Sequence, residues 1–246
     1  ISREGVLVLS TSLDSVGLMA KNIKLCKLAF ETMRDKATQK PKISNINNIK
    51  IIIPNNFGFE NIDVEVKEGF EAAKNKIIES GFDVLERDIT LLDKYQKVPL
   101  WQFAAVESQA EYFDAYTRKK HLIDPNVSRR MDRANQVTAV EYVKLCEERK
   151  KLIDQFNNFL GNNFLLLPTV SITPPLIKDC ENEDFYDKVN LISLKNTTLA
   201  NYMNGCSLSL PYTIDNKPIG IMLNASSNND DRILEIGSKI EKILSK

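Results

Sequence analysis

The chain has 246 residues, of which 43% are hydrophobic and 27% are charged, and these values are ordinary for a globular protein. Its 33 Lys and Arg residues balance its 33 Asp and Glu residues, which leaves no net charge to attract nucleic acid or an anionic membrane surface. No apolar run is long enough to cross a bilayer and neither end resembles a signal peptide, so we expect a cytoplasmic protein without a membrane span.

The first predicted element is a helix. Apolar residues recur at spacings of three and four from Val16 onward, which predicts an amphipathic helix over residues 16–34. Asp14 or Ser15 stands where the residue that caps this helix is expected. A polar segment over residues 36–48 follows and is predicted to be a loop.

A strand–helix–strand unit is predicted next. Residues 49–53 form an apolar run that ends at Pro54, as expected of a buried strand. A helix over 63–80 and a strand over 82–89 follow. A connection of this length favours parallel pairing of the two strands with a right-handed crossover.

The middle of the chain, residues 98–160, is predicted to be helical. Thr138 and Glu141 have the spacing of a capping box, which predicts the start of a helix over 138–160. Three further strands and a closing helix are predicted over 164–168, 207–211, 219–223 and 229–244. We therefore expect a single α/β domain over residues 1–246, with a mixed sheet flanked by helices and a helical insertion.

Cysteine and histidine offer little for metal or nucleophile chemistry. The four cysteines are Cys26, Cys146, Cys180 and Cys206. No two of them have a Cys-x-x-Cys spacing, so the sequence predicts neither a zinc site nor a disulfide framework. The single histidine, His121, lies among basic residues and is expected to be solvated. We expect no metal, no cofactor and no Ser-His-Asp triad.

Five short motifs, in order and suitably spaced, resemble those of the amidase-signature family. They are Ser2-Arg3-Glu4-Gly5-Val6, Ser12-Leu13-Asp14-Ser15-Val16-Gly17, Phe164-Leu165-Leu166-Leu167-Pro168-Thr169, the segment 201–211, and Pro218-Ile219-Gly220-Ile221. The resemblance spans essentially the whole chain. Leu18 and Lys21 stand where the family usually has proline and arginine, and Cys206-Ser207 stands where it usually has proline-alanine. These departures bear on subfamily and pocket shape.

The resemblance implies structural roles for several motif residues, which are Ser12, Asp14, Gly17, Pro168, Gly205, Pro211 and Gly220. Ser12, Asp14 and Ser15 could suggest a catalytic group. A serine near an aspartate at the start of a helix is more often a cap, so we expect capping here.

The resemblance also implies an amidase-like α/β fold and hydrolysis of a carboxamide. Family members use a serine nucleophile, a second serine on a cis peptide bond and a lysine, and backbone N–H groups of a glycine-rich loop bind the oxyanion. In the family these groups lie upstream of the match to Ser2. This sequence contains no Gly-Gly pair and no such serine segment, so we expect no catalytic residue in the chain.

The absence of the catalytic segment leaves three interpretations open. The chain starts at Ile1 without a methionine, so we expect the C-terminal part of an amidase whose N-terminal part lies in the same or a separate chain. It could instead derive from the amidase subunit of a tRNA-dependent amidotransferase, or be a non-catalytic interaction module. We favour the first interpretation.

Three residues are candidates for contact with the substrate. Thr169 follows a predicted strand end, where ligands bind in α/β sheets, and Asn201 is a second polar candidate. Trp101 lies on a helix that could line the pocket, although large aromatic residues are more often part of a core. The expected partners are a small-molecule amide and the N-terminal part, with a homodimer possible and no direct contact with nucleic acid.

Overall fold

The apolar runs of the sequence form the strands of one sheet in the computed structural model, which describes residues 1–34, 49–214 and 216–245. The predicted loop over 36–48 lies outside the described residues. The strands β1 to β5 are Lys50–Pro54, Asp83–Arg87, Phe164–Pro168, Cys206–Ile214 and Lys217–Ala225. The α-helices α1 to α9 are Ile23–Met33, Val64–Glu79, Thr90–Tyr95, Trp101–Glu111, Phe113–Lys119, Pro125–Asp132, Ala139–Leu160, Glu183–Tyr202 and Asp230–Leu244.

The sheet is mixed, as predicted. Its strand order is β2-β1-β3-β5-β4. Strand β1 pairs in parallel with β2 and with β3, whereas β5 runs antiparallel to both β3 and β4. The unit β1-α2-β2 confirms the predicted parallel strand–helix–strand motif. Among the helices that the described ranges contain, none has the length and hydropathy needed to cross a membrane.

Helices cover both faces of the central strands. On one face, Ile51 and Leu166 pack with residues of α2 and α9. On the other face, Ile52 and Leu165 pack with residues of α3, α4, α7 and α8. Strand β3 is buried at all five positions, which explains why its sequence is continuously apolar rather than alternating.

The first helix begins later than predicted. Helix α1 starts at Ile23, and its cap is Asn22, whose side chain accepts a hydrogen bond from the Leu25 N–H at 3.0 Å. The Asp14 carboxylate instead accepts hydrogen bonds from the N–H groups of Leu9 and Ser10, at 2.8 and 2.9 Å. The prediction of a helix from residue 16 with Asp14 or Ser15 as its cap was therefore wrong. Upstream of Ile23, Val16 and Met19 continue the spacing of three and four between apolar residues, but the backbone there is not helical.

Helix α8 was not predicted, although its start carries a local signal. Asn182 accepts a hydrogen bond from the Phe185 N–H at 2.9 Å, and Glu183 and Asp184 occupy the first turn, where the helix dipole favours acidic side chains. The capping box of Thr138 and Glu141 at the start of α7 was predicted and is confirmed.

The joint between α8 and β4 requires a glycine. The Gly205 N–H donates to the Ala200 carbonyl at 2.9 Å and ends the helix. A Cβ atom at Gly205 would lie 2.7 Å from the carbonyl oxygen of Ala225 on β5, a backbone atom that the sheet holds in place. A Cβ atom added at Gly17 would meet no other group within 4 Å, so the surroundings of Gly17 leave space for a side chain.

These surroundings predict different effects of two alanine substitutions. Gly205→Ala should lower the free energy of unfolding by about 1–3 kcal/mol, because the added methyl group forces a shift of packed backbone. Gly17→Ala is the control and should change it by less than about 0.5 kcal/mol. Urea denaturation followed by circular dichroism measures both, and equal effects of the two substitutions would contradict the described packing.

Candidate functional site

The adjacent parallel strands β1 and β3 form a topological switch point. After β1 the chain continues into α2 on one face of the sheet, whereas after β3 it continues into α8 on the opposite face. Connections that diverge in this way open a crevice at the carboxyl ends of the two strands, and ligands of α/β sheets bind there. We therefore take this edge of the sheet as the candidate site.

Asn196 of α8 joins the two loops at this edge. Its side-chain N–H₂ donates to the carbonyl oxygens of Gly58, at 3.0 Å, and Pro168, at 2.8 Å. The side chain is only 1% exposed, and its Oδ1 atom has no hydrogen-bond partner among the described residues. This edge of the sheet therefore contains a buried acceptor without a donor.

Two lysines near the sheet are held by carboxylates. Lys195 lies 3.0 Å from Glu60, and Lys217 forms an ion pair with Glu65. Burial raises the pKa of Glu60, but the hydrogen bond and charge of Lys195, together with hydrogen bonds from backbone N–H groups, outweigh burial, so the net effect is a lowered pKa. Each lysine is thus held by a carboxylate rather than placed beside a serine hydroxyl.

Thr169, a predicted pocket residue, lies at the margin of this edge. Its hydroxyl oxygen is 2.6 Å from that of Ser209 on β4, and its N–H donates to the Gly220 carbonyl at 2.8 Å. A Cβ atom at Gly220 would lie 2.5 Å from the Thr169 hydroxyl, so a side chain at Gly220 would displace the hydroxyl pair. The structure thus brings together residues from three of the family-like motifs.

The predicted motif residue Ser12 belongs to a second polar cluster, centred on Glu107 of α4. The Glu107 carboxylate accepts hydrogen bonds from the hydroxyl groups of Ser10 and Ser12, from the Ser12 N–H at 3.0 Å and from the Tyr142 hydroxyl at 2.6 Å. Burial raises the pKa of Glu107, but these hydrogen bonds lower it by more, so the net effect is a lowered pKa. Ser12 therefore anchors the N-terminal loop and does not cap a helix.

The predicted pocket residue Asn201 also holds the N-terminal loop. Its side-chain N–H₂ donates to the Leu13 carbonyl at 2.8 Å. Arg149 of α7 donates to the carbonyl oxygens of Asn201, at 3.0 Å, and Tyr202, at 2.9 Å, and so satisfies the last turn of α8. Asn201 thus has a structural contact that the sequence did not indicate.

Trp101, the third predicted pocket residue, is half-buried at the start of α4. The Arg133 guanidinium lies over its ring, 4.1 Å from the ring centroid. In the part of the chain that the structure describes, no hydrogen bond or ring contact joins Trp101, Asn201 and Thr169 to one another. The three candidates therefore have three different surroundings.

A cleft of about 400 Å³ lies beside the N-terminal loop. The N-terminal loop, α1, the start of β4 and the start of α9 line it. The predicted motif residues Ser12, Asp14 and Gly17 are among its lining residues, and Ser207 faces them from β4. Two further motif residues, Pro168 and Pro211, do not line this cleft and belong to strands β3 and β4.

Sequence reasoning missed Glu107 and Asn196, although each left a signal. Glu107 follows Phe103 by one helical turn, so an acidic residue interrupts a core-facing stripe. Asn196 precedes Leu199 and Tyr202 at spacings of three, on the buried side of α8. A polar residue on a core-facing stripe predicts a buried hydrogen-bond partner, but it does not identify that partner.

Comparisons with known proteins agree with the fold. A family profile described as Amidase matches residues 1–234. The 2-amino-5-chloromuconic acid deaminase of Comamonas testosteroni is 25% identical over 98% of this chain and 54% of its own length. A glutamyl-tRNA(Gln) amidotransferase subunit of Treponema denticola is 26% identical over 98% of this chain and 58% of its own length.

A solved structure shows the same architecture. A crystal structure of an amidase superposes with a TM-score of 0.81 at 21% identity, and the match covers 99% of this chain and 56% of that one. The predicted α/β fold with a mixed sheet flanked by helices is therefore confirmed. The chain spans little more than half the length of the relatives it matches.

The Glu107 cluster predicts a pH-dependent contribution to stability. At pH 7, Glu107→Gln should lower the free energy of unfolding by about 1–3 kcal/mol, because a neutral amide accepts these hydrogen bonds less strongly than a carboxylate. The pKa of Glu107 in the folded protein lies below its ordinary value of 4.5. The loss should therefore be complete above that ordinary value and shrink as the pH falls through the lowered one.

The exposed residue Glu111 provides the matched control on the same helix. Glu111→Gln should leave the free energy of unfolding within about 0.5 kcal/mol of the wild-type value. Urea titrations at several pH values between 3 and 7 compare the two variants. A Glu107→Gln effect that is constant over this range would show that the carboxylate charge plays no part.

Proposed function

This chain belongs to the amidase family, and from that premise we propose that it forms the C-terminal part of an amidase that hydrolyses a carboxamide. The observation that carries the proposal is the family match over residues 1–234. The attacking serine and its activating base are then supplied by another segment, in the same or a separate polypeptide.

The contacts of the serines and lysines support this division of labour. A serine hydroxyl becomes a nucleophile when a neighbouring base removes its proton. Ser12 donates to Glu107, a carboxylate whose lowered pKa makes it a poor base, and Ser209 pairs with another hydroxyl. Lys195 and Lys217 are both ion-paired. None of these groups resembles the serine–lysine arrangement that the family uses.

We assign the substrate-facing role of this part to Thr169. Thr169 directly follows β3, one of the two strands of the switch point, and its hydroxyl can donate to a carbonyl or accept from an amide N–H. The contacts of Asn201 and Trp101 favour structural roles instead. The proposed substrate is a small-molecule amide.

A second candidate function rests on the similarity to the amidotransferase protein. The Treponema denticola relative has nearly the same percentage identity to this chain as the deaminase, so the parent could be the amidase subunit of a tRNA-dependent amidotransferase. Turnover of a free amide by the complete protein favours a stand-alone amidase. Turnover that requires a further subunit favours the amidotransferase.

A fluorophosphonate probe tests the proposed division directly, because it labels only an activated serine. The 246-residue chain should hydrolyse no amide and should remain unlabelled at Ser12, Ser15, Ser207 and Ser209. A longer chain, extended before Ile1 by the segment with the family's glycine-rich serine motif, should be labelled on that segment. Mass spectrometry of the labelled peptides locates the adduct. Stoichiometric labelling of any serine within the 246 residues would refute the proposal.

The role of Thr169 can be tested in the longer chain. Thr169→Val should lower kcat/KM by about fivefold, because the lost hydrogen bond contributes about 1 kcal/mol to binding of the substrate and transition state. Thr117→Val on α5 removes the same hydroxyl from an exposed helix and should leave kcat/KM unchanged. Steady-state kinetics and melting temperatures measure both variants. Equal kinetics of the wild type and Thr169→Val would remove Thr169 from the site.

A further inference from the structure

Two side-chain hydroxyl groups meet across the strand that separates their own strands. Thr169 follows β3 and Ser209 lies on β4, and β5 lies between these two strands in the sheet. The two hydroxyl oxygens are 2.6 Å apart, an ordinary distance for a hydrogen bond between hydroxyl groups. A Cβ atom at Gly220 of β5 would lie 2.5 Å from the Thr169 oxygen and 3.0 Å from the Ser209 oxygen. The hydroxyl groups therefore meet because Gly220 has no side chain.

The sheet does not depend on this hydrogen bond. Strand β5 is already paired with β3 on one side and with β4 on the other through backbone hydrogen bonds. Ser209 is exposed, and a hydrogen bond between hydroxyl groups in contact with water contributes little to the free energy of folding. The hydroxyl groups of Thr32 and Thr117, by contrast, donate to carbonyl oxygens of their own helices. The Thr169–Ser209 pair is therefore available for a ligand.

The hydroxyl pair offers more acceptors than donors. Each hydroxyl group has one hydrogen and two lone pairs, and the bond within the pair uses one hydrogen and one lone pair. Among the described residues, neither hydroxyl group makes a further hydrogen bond. One hydrogen and three lone pairs therefore remain, and both groups are neutral. A pair of this kind suits a neutral ligand that carries N–H groups, because either oxygen can accept from them.

We propose that the Thr169–Ser209 hydroxyl pair accepts a hydrogen bond from the N–H group of the substrate amide and so favours amides over esters. The inference rests on the proposed function and deepens it, because it gives Thr169 the role of acceptor and adds Ser209 as a second substrate-binding residue. An ester of the same acid has an oxygen atom in place of the N–H group. It has no hydrogen to donate to the pair, so it loses this contact.

The chemistry of amide hydrolysis favours the nitrogen end of the amide as the ligand of this pair. The carbonyl oxygen becomes negatively charged when the nucleophile attacks, and preorganised hydrogen-bond donors stabilise that charge. The nitrogen becomes the leaving group, and its N–H groups need acceptors in a site that excludes water. Acceptors are the groups that the Thr169–Ser209 pair has in excess. The pair therefore matches the nitrogen end better than the carbonyl end.

Kinetics with matched amides and esters test the proposal in the longer chain, extended before Ile1 as defined above. The substrates are acetamide, benzamide and hexanamide, together with the methyl esters of the same three acids. Ser209→Ala should lower kcat/KM for the amides by about fivefold and leave the esters unchanged, because only the amides lose a hydrogen bond. Ser207→Ala is the matched control. It removes an exposed hydroxyl group from the same face of β4 and should change neither class of substrate.

Three further measurements distinguish substrate binding from a merely structural effect. Thr169→Val combined with Ser209→Ala should lower kcat/KM for the amides little more than Thr169→Val alone, because each substitution breaks the same pair. The fluorophosphonate probe has no N–H group, so it should label the catalytic serine equally fast in Ser209→Ala and in the wild type. The melting temperature of Ser209→Ala should stay within about 2 °C of the wild type, since the pair does not hold the sheet.

A binding measurement that needs no turnover uses two probes of similar shape. Benzenesulfonamide carries an N–H₂ group where methyl phenyl sulfone carries a methyl group, and neither is an amide or an ester. In the longer chain, benzenesulfonamide should shift the NMR resonance of the Thr169 methyl group in a saturable way, whereas methyl phenyl sulfone should not. Ser209→Ala should weaken the binding of benzenesulfonamide by about fivefold, because one acceptor is lost.

Three outcomes would overturn the inference. The first is an equal loss of amide and ester turnover in Ser209→Ala, which would show that the pair donates to the carbonyl oxygen. The second is unchanged amide turnover in Ser209→Ala. The third is an equal effect of the two sulfonyl probes on Thr169, which decides the matter even if none of the six substrates is hydrolysed. A labelled serine without selectivity for N–H groups refutes only the inference, whereas selective binding without a labelled serine refutes only the proposed function.

Discussion

The complete burial of β3 is the constraint on which the rest of the structure depends. Every residue of Phe164–Pro168 is buried, because the strand lies between β1 and β5 and has helices on both faces. Apolar burial on two faces contributes most of the stabilisation of such a layered fold. The helix after β1 covers one face and the helix after β3 covers the other, and Asn196 connects the two chain segments at the carboxyl ends of these strands.

Hydrogen bonds of polar side chains connect loops and helices that the apolar core does not join. Glu107 fastens the N-terminal loop to α4, Asn201 fastens the same loop to α8, and Asn196 fastens the two loops at the carboxyl edge. Each buried polar group must find partners or cost free energy, so these contacts specify one arrangement of the loops. The Oδ1 atom of Asn196 is one of several buried polar atoms without a partner among the described residues, and it lies at the edge where a substrate is proposed to bind.

Residues of the family-like motifs therefore make close packing contacts and turns that connect the elements of the fold. Gly205 and Gly220 allow backbone and hydroxyl groups to approach more closely than a side chain permits, and Asp14 closes a turn. Lys195 and Lys217 lie in ion pairs with Glu60 and Glu65, which supports the proposal that the catalytic groups come from another segment.

The sequence by itself determined the features that adjacent residues encode. The continuous apolar run of β3 was predicted with its observed bounds, and the capping box at Thr138 was correct, because strand burial and helix capping depend on local patterns. The mixed sheet and the parallel β1–β2 pair also followed from element order. Thr169 was correctly placed at a strand end for the same reason.

Only the tertiary structure decided which distant side chains meet. Ser10 and Glu107 are 97 residues apart, Thr169 and Ser209 are 40 apart, and Asn196 contacts Gly58 across 138 residues. The start of α1 at Ile23 was also decided there. Asp14 could cap a helix or close a turn with equal local chemistry, and the anchoring of its loop by Glu107 and Asn201 selected the turn. Hydrogen-bond partners far apart in sequence leave no periodicity, so pattern alone does not reveal them.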